Sequence, residues 1–181
     1  MKALGHDLLD CGLLQFGQIG KEPWRLHVEL LPSYPELLHE LASLTEPYVQ
    51  GVDRLLAANG AQAWGNALAM RQRIPLVYCQ GDELVGAYDI GHPALLLACG
   101  HEQDVELLAL MRSAGRVGLE VCALVSLLDS GRDRLGKVPV HALLDFEELV
   151  QDLVSGGALP AGQGRQVERW LFNRRQGLAG P

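Results

Sequence analysis

Runs of apolar residues alternate with segments of helical periodicity along the middle of this chain. The apolar runs predict buried strands at residues 52–57, 75–79, 94–97, 121–129 and 138–143. Apolar positions spaced three and four apart predict a helix over 103–114, and a segment rich in small residues predicts another over 62–72. Residues 81–93 predict a loop with a β-ribbon. This alternation is typical of an α/β fold, so we expect a central, mainly parallel sheet flanked by helices.

The N-terminal part has a different pattern. Residues 4–14 predict a helix, and residues 15–19 and 24–30 predict two short strands. The segment 33–36 (Ser-Tyr-Pro-Glu) has the spacing of a capping box, with proline in the first helical turn. We therefore predict a helix from this segment to about Pro47.

The C-terminal part contains a glycine-rich break. Asp145 is a candidate N-cap for an acidic helix that ends near residue 154. Residues 156–164 hold several glycines and alanines and predict a linker. We therefore divide the chain into a domain of residues 1–155, this linker, and a C-terminal helix and tail of residues 165–181.

The C-terminal helix has two interpretations. Val167, Trp170 and Leu171 fall on one helical face, and several arginines surround them. The helix either docks its tryptophan on the body of the protein or binds an acidic protein partner. We favour docking, because an isolated helix of this length is only marginally stable in water.

Composition and charge exclude several classes of protein. The formal net charge of −7 argues against a nucleic-acid or anionic-membrane partner. No apolar run approaches the length of a membrane span, and Asp7 and Asp10 interrupt the N-terminal apolar stretch, so we expect neither a membrane segment nor a signal peptide. Four scattered cysteines are typical of a reduced, cytoplasmic protein. We expect no metal and no other cofactor.

The turn after the apolar run 94–97 is chemically unusual. A strand–helix–strand unit normally binds phosphate at this turn, where the start of the helix offers free amides. Here the turn is Ala98-Cys99-Gly100-His101-Glu102, with one glycine, no hydroxyl group and no lysine. A carboxylate at this place would cap the helix dipole itself and repel a phosphate.

Several segments, in order, resemble orotate phosphoribosyltransferases of the type I phosphoribosyltransferase superfamily. The similar segments are residues 8–17, 30–38, 74–78, the strand–helix–strand unit, and 138–143. The resemblance covers roughly residues 4–154. It implies a type I phosphoribosyltransferase fold with a small N-terminal hood at residues 1–32. It also implies a homodimer, since active sites of that family are completed across a two-fold interface.

The departures from the family fall where its chemistry is done. Ala98 and Cys99 stand in place of the acidic pair that holds the ribose hydroxyls, and the turn through Gly100 and His101 is shorter than the family's loop for the diphosphate sugar PRPP. The pyrophosphate-side turn is represented by Asn59 and Gly60. The chain has Ser130 in place of the orotate-binding arginine, and the strand end at residues 78–83 has no basic residue.

The distribution of cations extends this pattern. The only lysines are Lys2, Lys21 and Lys137, and a diphosphate needs several fixed cations or a carboxylate-held metal. We therefore predict no catalytic residues and a non-enzymatic binding or regulatory subunit. The alternative is a divergent orotate or related phosphoribosyltransferase. It would transfer phosphoribosyl from PRPP to a pyrimidine base with Mg²⁺, using one carboxylate from among Asp82, Glu83, Asp89 and Glu102.

Cys99 and His101 admit a sharper interpretation, as a thiol–imidazole pair or half of a metal site. A helix N-terminus lowers the pKa of a thiol. Two ligands do not make a zinc site, however, and no nucleophile motif surrounds them. We favour an ordinary turn with a histidine near the helix start.

Aromatic residues give a second indication of a dimer. Trp24, Tyr34, Trp64 and Tyr88 lie in or beside predicted loops and element ends. Aromatic side chains are typical anchors of protein interfaces. The alternative is that these side chains cover the core beneath loops.

Overall fold

The computed structural model describes residues 2–19, 22–80, 83–129 and 131–175. The N-terminal elements are helix α1 (Lys2–Asp10) and an antiparallel hairpin of β1 (Leu14–Ile19) and β2 (Glu22–Leu26). The predicted second strand, 24–30, is shorter than expected. A 3₁₀ helix, Val28–Ser33, follows it and leads into α2 (Pro35–Thr45).

The rest of the described chain builds a seven-stranded sheet with four helices. Its strands are β3 (Arg54–Ala57), β4 (Leu76–Gln80), β5 (Glu83–Gly86), β6 (His92–Ala98), β7 (Leu119–Leu128), β8 (Arg134–Leu135) and β9 (Val138–Leu144). Its helices are α3 (Gln62–Gln72), α4 (Asp104–Arg116), α5 (Phe146–Ser155) and α6 (Ala161–Arg175). The strand order is β5-β4-β3-β6-β7-β9-β8, and the five central strands run parallel.

The sheet is buried on both faces. Leu55, Leu95 and Val125 belong to the larger core, which also contains residues from α1, α2, α3, α5 and α6. Leu56 and Leu96 belong to a second core that contains residues from α4. Parallel strands covered on both sides have continuous rather than alternating apolar sequences, which is the pattern that predicted them. The predicted α/β architecture is confirmed.

Two predicted helix caps have different outcomes. Asp145 is the N-cap of α5, and its Oδ1 accepts a hydrogen bond from the Glu148 amide at 2.9 Å. The capping box at residues 33–36 is wrong: α2 starts at Pro35 after Tyr34, which makes no side-chain cap. The 3₁₀ helix already includes Ser33, so its side chain does not take the N-cap position.

The C-terminal helix docks on the body, as predicted. Val167 and Leu171 are buried in the larger core, and the Trp170 ring meets Trp24 of β2 edge-on at 5.5 Å between centroids. The helix begins at Ala161, earlier than the expected residue 165. Residues 176–181 of the predicted tail lie outside the described residues.

The aromatic argument for a dimer is wrong for its two tryptophans. Trp24 and Trp64 are 2% and 0% exposed, and Trp64 Nε1 donates to Thr45 Oγ1 at 3.1 Å. Tyr34 is partly buried and donates to the Cys11 carbonyl at 3.0 Å, whereas Tyr88 remains exposed. Trp24 and Trp64 are therefore part of the larger core, and Tyr34 packs against it. Within the described residues, no helix has the length and apolar character needed to span a membrane.

Candidate functional site

The carboxyl ends of β3, β6 and β7 meet at one edge of the sheet, where open α/β sheets bind ligands. The turn of residues 99–102, referred to below as the β6–α4 turn, lies at this edge between the buried strand β6 and helix α4. The helix is capped by its own residues: Glu106 Oε2 accepts from the Gln103 amide at 2.9 Å in a capping box. The Glu102 carboxylate is therefore not needed as the helix cap.

Glu102 instead turns its side chain back onto the turn. Its Oε1 accepts from the Cys99 amide and its Oε2 from the Gly100 amide, each at 2.7 Å. The residue is only 5% exposed. Two successive main-chain N–H groups form a compact anion-binding site, and here a carboxylate of the protein itself occupies that site.

Gly100 makes this geometry possible. Its φ is +100°, a region that side-chain-bearing residues rarely adopt. A Cβ at this position would lie 2.5 Å from the Leu128 carbonyl oxygen of β7. The turn therefore passes close against the end of β7, and its two amides point at one carboxylate.

Two arginines reach the same turn from distant parts of the chain. Arg132, just after β7, donates through Nη2 to the Glu102 carbonyl at 3.1 Å. Arg174 of α6 donates to the Gly100 carbonyl at 3.2 Å and to the Glu102 carbonyl at 2.6 Å. The described part of the chain thus brings two guanidinium groups to the edge where the lysine count predicted few cations.

Each arginine has a further partner. Arg132 Nη1 lies 2.7 Å from Asp104 Oδ1, a close charge contact without the direction of a good hydrogen bond. The Arg174 guanidinium stacks over the Trp170 ring at 5.1 Å from the centroid. Burial, and then the neighbouring charge of Arg132, lower the pKa of Arg174. Both groups are engaged by the protein itself.

Cys99 is not an activated nucleophile. It is fully buried in the larger core, and burial raises the pKa of its thiol well above the ordinary value, with a further contribution from the Glu102 charge. The expectation that the helix start lowers this pKa is wrong, because desolvation outweighs the dipole. Cys122 lies within the apolar run 121–129, which predicts a buried side chain, but it is exposed.

Two cavities meet at His101. The hairpin cavity, of about 390 Å³, is lined by Trp24, Arg25, Val28, Glu29 and His101. The helix cavity, of about 350 Å³, is lined by Asn59, Leu84, His101, Glu102, Glu106 and Leu110, among others. Nδ1 of His101 and Nε1 of Trp24 are buried and have no hydrogen-bond partner within the described structure.

The other predicted site residues are dispersed. Asn59 lines the helix cavity, and the Gly60 amide donates to Gln62 Oε1 at 2.8 Å, so that turn is also closed by its own side chain. Asp89 lies outside the edge and pairs with Arg54 at 3.7 Å. Asp82 and Ser130 fall outside the described residues, as does Lys21.

The sequence interpretation missed Arg132 and Arg174. Arg132 follows the end of β7, and the carboxyl ends of parallel strands share one edge, so its place in the sequence indicated the location. Arg174 gave no such indication, because 72 positions separate it from Glu102.

Comparison with known proteins identifies the fold. No protein-family model matches the sequence, and a search of curated proteins gives no match. Among solved structures, UMP synthase of Leishmania donovani has a TM-score of 0.75 at 22% identity over 95% of this chain. Orotate phosphoribosyltransferase of Francisella tularensis has a TM-score of 0.65 at 14% identity, covering 93% of this chain and 96% of that one.

A third similar structure is the Mycobacterium tuberculosis orotate phosphoribosyltransferase in complex with inorganic phosphate. Its TM-score is 0.68 at 12% identity, with 82% of this chain and 96% of that chain covered. The present chain spans 42% of the Leishmania UMP synthase. These similarities establish a type I phosphoribosyltransferase fold. The solved structures that share this fold with the chain include a UMP synthase and orotate phosphoribosyltransferases.

Proposed function

We propose that this protein keeps the phosphoribosyltransferase fold without phosphoribosyl transfer and works as a non-enzymatic binding or regulatory subunit. The observation that carries the proposal is the Glu102 carboxylate on the amides of Cys99 and Gly100. In α/β folds the turn between a strand and the following helix is where phosphate binds. A carboxylate held in that place excludes phosphate by occupancy and repels it by charge.

A phosphate group would have to displace an anion that belongs to the same turn. Hydrogen bonds to charged groups contribute about 1.5–3 kcal/mol each, and Glu102 makes two of them. The carboxylate is covalently tethered beside the amides, so its effective concentration is about millimolar or higher. We therefore expect dissolved sugar phosphates to compete poorly with it.

The cations at the sheet edge are also engaged. Arg132 and Arg174 donate to main-chain carbonyl groups of the turn, and Arg132 pairs with Asp104. A diphosphate in a partly dry site needs several available cations, or a metal held by carboxylates. Ala98 and Cys99, at the places of the family's acidic pair, offer no carboxylate.

Isothermal titration tests this proposal directly. We expect no specific heat from PRPP with Mg²⁺, or from orotidine monophosphate, at micromolar concentration. We also expect Glu102→Ala to gain affinity for inorganic phosphate, because two amides become available. The matched control is Glu120→Ala, an exposed glutamate on β7, which should behave as the wild type. Micromolar binding of PRPP or orotidine monophosphate by the wild type would contradict the proposal.

A second candidate is a divergent orotate or related phosphoribosyltransferase that uses PRPP, a pyrimidine base and Mg²⁺. One observation favours it: Glu102, Arg132 and Arg174 converge at the carboxyl edge of the sheet. An acidic group with cations is what a ribose diphosphate site requires. Complementation of a pyrimidine auxotroph by the wild type, lost in Glu102→Gln, would support this function in pyrimidine biosynthesis.

We further propose that the partner is a second copy of the chain or another protein, in the cytoplasm. Met70 and Ile90 are 82% and 92% exposed, and such apolar surface supports an interface. None of the four cysteines, all of which lie within the described residues, forms a disulfide. Reduced thiols are typical of a reducing compartment.

A further inference from the structure

Three side chains with metal-ligating atoms meet at the β6–α4 turn. The Cys99 sulfur, a ring nitrogen of His101 and a carboxylate oxygen of Glu102 all lie within 4.8 Å of one another. Cys99 and Glu102 are buried, and His101 is partly buried. The sequence interpretation considered only the thiol and the imidazole. The fold adds the third group by turning Glu102 back onto the turn.

His101 provides an independent indication of a ligand. Its Nδ1 is buried and has no hydrogen-bond partner within the described structure. A buried polar atom without a partner costs about 1–3 kcal/mol. The rest of the turn is well satisfied, since the carboxylate oxygens, both amides and two carbonyls have partners. The imidazole is therefore the group in the turn that still requires a partner.

The donor set has a definite preference. Sulfur, imidazole nitrogen and carboxylate oxygen together suit zinc and cobalt(II), whereas Mg²⁺ prefers oxygen ligands alone. A thiolate and a carboxylate carry two negative charges, which balance a divalent ion. The ion complex is thus neutral beside Arg132 and Arg174, and their charges oppose it only weakly.

Glu102 is already oriented for such a role. Each of its oxygens accepts one amide hydrogen bond, and a carboxylate oxygen has a second lone pair for a metal. Hydrogen bonds from the protein to a ligating carboxylate are the usual means of fixing its direction. A fourth ligand can come from the helix cavity, which Glu102 and His101 both line.

We propose that the β6–α4 turn is a site for a divalent transition metal of the zinc or cobalt(II) type, bound by Cys99, His101 and Glu102. Binding forms a metal–sulfur bond and releases the thiol proton to solvent, with no oxidation or reduction. The site needs no phosphoribosyl transfer and does not depend on whether transfer is lost. A metal at this turn takes the place of the phosphate that the fold usually binds there.

Titration of the full chain with Co²⁺, after chelator treatment and under reducing conditions, tests the site. We expect one equivalent to produce a near-ultraviolet thiolate-to-cobalt charge-transfer band, and Zn²⁺ to abolish it. Cys99→Ser should lose the band, and His101→Gln should weaken the affinity tenfold or more. The control Cys122→Ser removes an exposed cysteine on β7 and should leave the titration unchanged.

Several outcomes would overturn the proposal: no charge-transfer band in the wild type, a band of equal intensity in Cys99→Ser, or loss of the band in Cys122→Ser. Because Cys99 is a core residue, circular dichroism has to show that its variant is folded. His101→Gln changes a partly exposed side chain and provides the second measurement if Cys99→Ser is unfolded. The titration contains no PRPP, so a negative result leaves the proposed loss of catalysis unaffected.

Discussion

Cys99 is fully buried, directly follows the apolar strand β6 and lies beside the Glu102 carboxylate. Burial and the Glu102 charge raise the pKa of its thiol well above the ordinary value of 9.0. The folded protein therefore keeps this proton at a pH where the unfolded chain releases it. The resulting contribution to stability is complete below pH 9.0 and falls as pH rises above that value.

We predict that the free energy of unfolding decreases above pH 9.0 with a slope of up to about 1.4 kcal/mol per pH unit from this residue alone. Urea denaturation of the wild type and of Cys99→Ala, measured between pH 7 and pH 10.5, isolates the effect. The difference in stability between the two proteins should shrink as pH rises. A constant difference would show that the thiol ionises equally in both states.

At the scale of elements, the β6–α4 turn depends on the conformation of Gly100. We predict that Gly100→Ala destabilises the protein by about 2 kcal/mol or more, because positive φ and a close approach to the Leu128 carbonyl both oppose a Cβ. The matched control is Gly162→Ala in α6, where a Cβ meets nothing within 4 Å. That variant should be neutral or more stable by up to about 1 kcal/mol. Equal denaturation midpoints for the two variants would contradict the prediction.

Helix α6 is fixed to the body partly by Arg174. We predict that Arg174→Ala increases hydrogen exchange of the α6 amides, with a loss of local stability of about 1–3 kcal/mol, because two hydrogen bonds and the stacking on Trp170 disappear. Arg169→Ala, at an exposed position of the same helix, is the control and should leave exchange unchanged. Hydrogen–deuterium exchange with mass spectrometry measures both.

These elements differ in how far the sequence predicted them. The apolar face of Val167, Trp170 and Leu171 predicted docking of α6, because burial of such a face follows from local periodicity. The two hydrogen bonds of Arg174 depend on where α6 lies relative to a turn 72 positions earlier, and no local pattern contains that distance. The direction of the Glu102 side chain depends likewise on the φ of Gly100.

At the scale of the whole molecule, the sheet was predictable and the surface was not. Residues 94–97 and 121–129 are almost continuously apolar, and that pattern fixes a strand covered on both faces. From the sequence, Trp24 and Trp64 could either form interface surface or cover the core, because both lie beside predicted loops or element ends. Their burial follows from the packing of β2 and α3 against neighbouring helices, which only the assembled fold defines.

We predict that the purified protein is a dimer at micromolar concentration. The exposed apolar side chains Met70 and Ile90 support an interface, and a symmetric contact of standard size buries about 1,600 Å². Light scattering should give twice the 19.7 kDa mass of one chain. Met70→Lys and Ile90→Lys should each shift the mass toward the monomer if the residue is in the interface. A mass of one chain for the wild type would refute the dimer.

Helix α6 contacts two separate parts of the molecule, the N-terminal hairpin and the β6–α4 turn. Through Trp170 it meets Trp24 of the N-terminal hairpin, and through Arg174 it holds the carbonyls of Gly100 and Glu102. Helix α6 therefore connects the hairpin to the edge of the sheet. If the hairpin moves away from the sheet edge, the contact of Trp170 with Trp24 or the hydrogen bonds of Arg174 have to break. A partner that moves α6 on binding would therefore change the hydrogen bonds of the β6–α4 turn without contacting the turn itself.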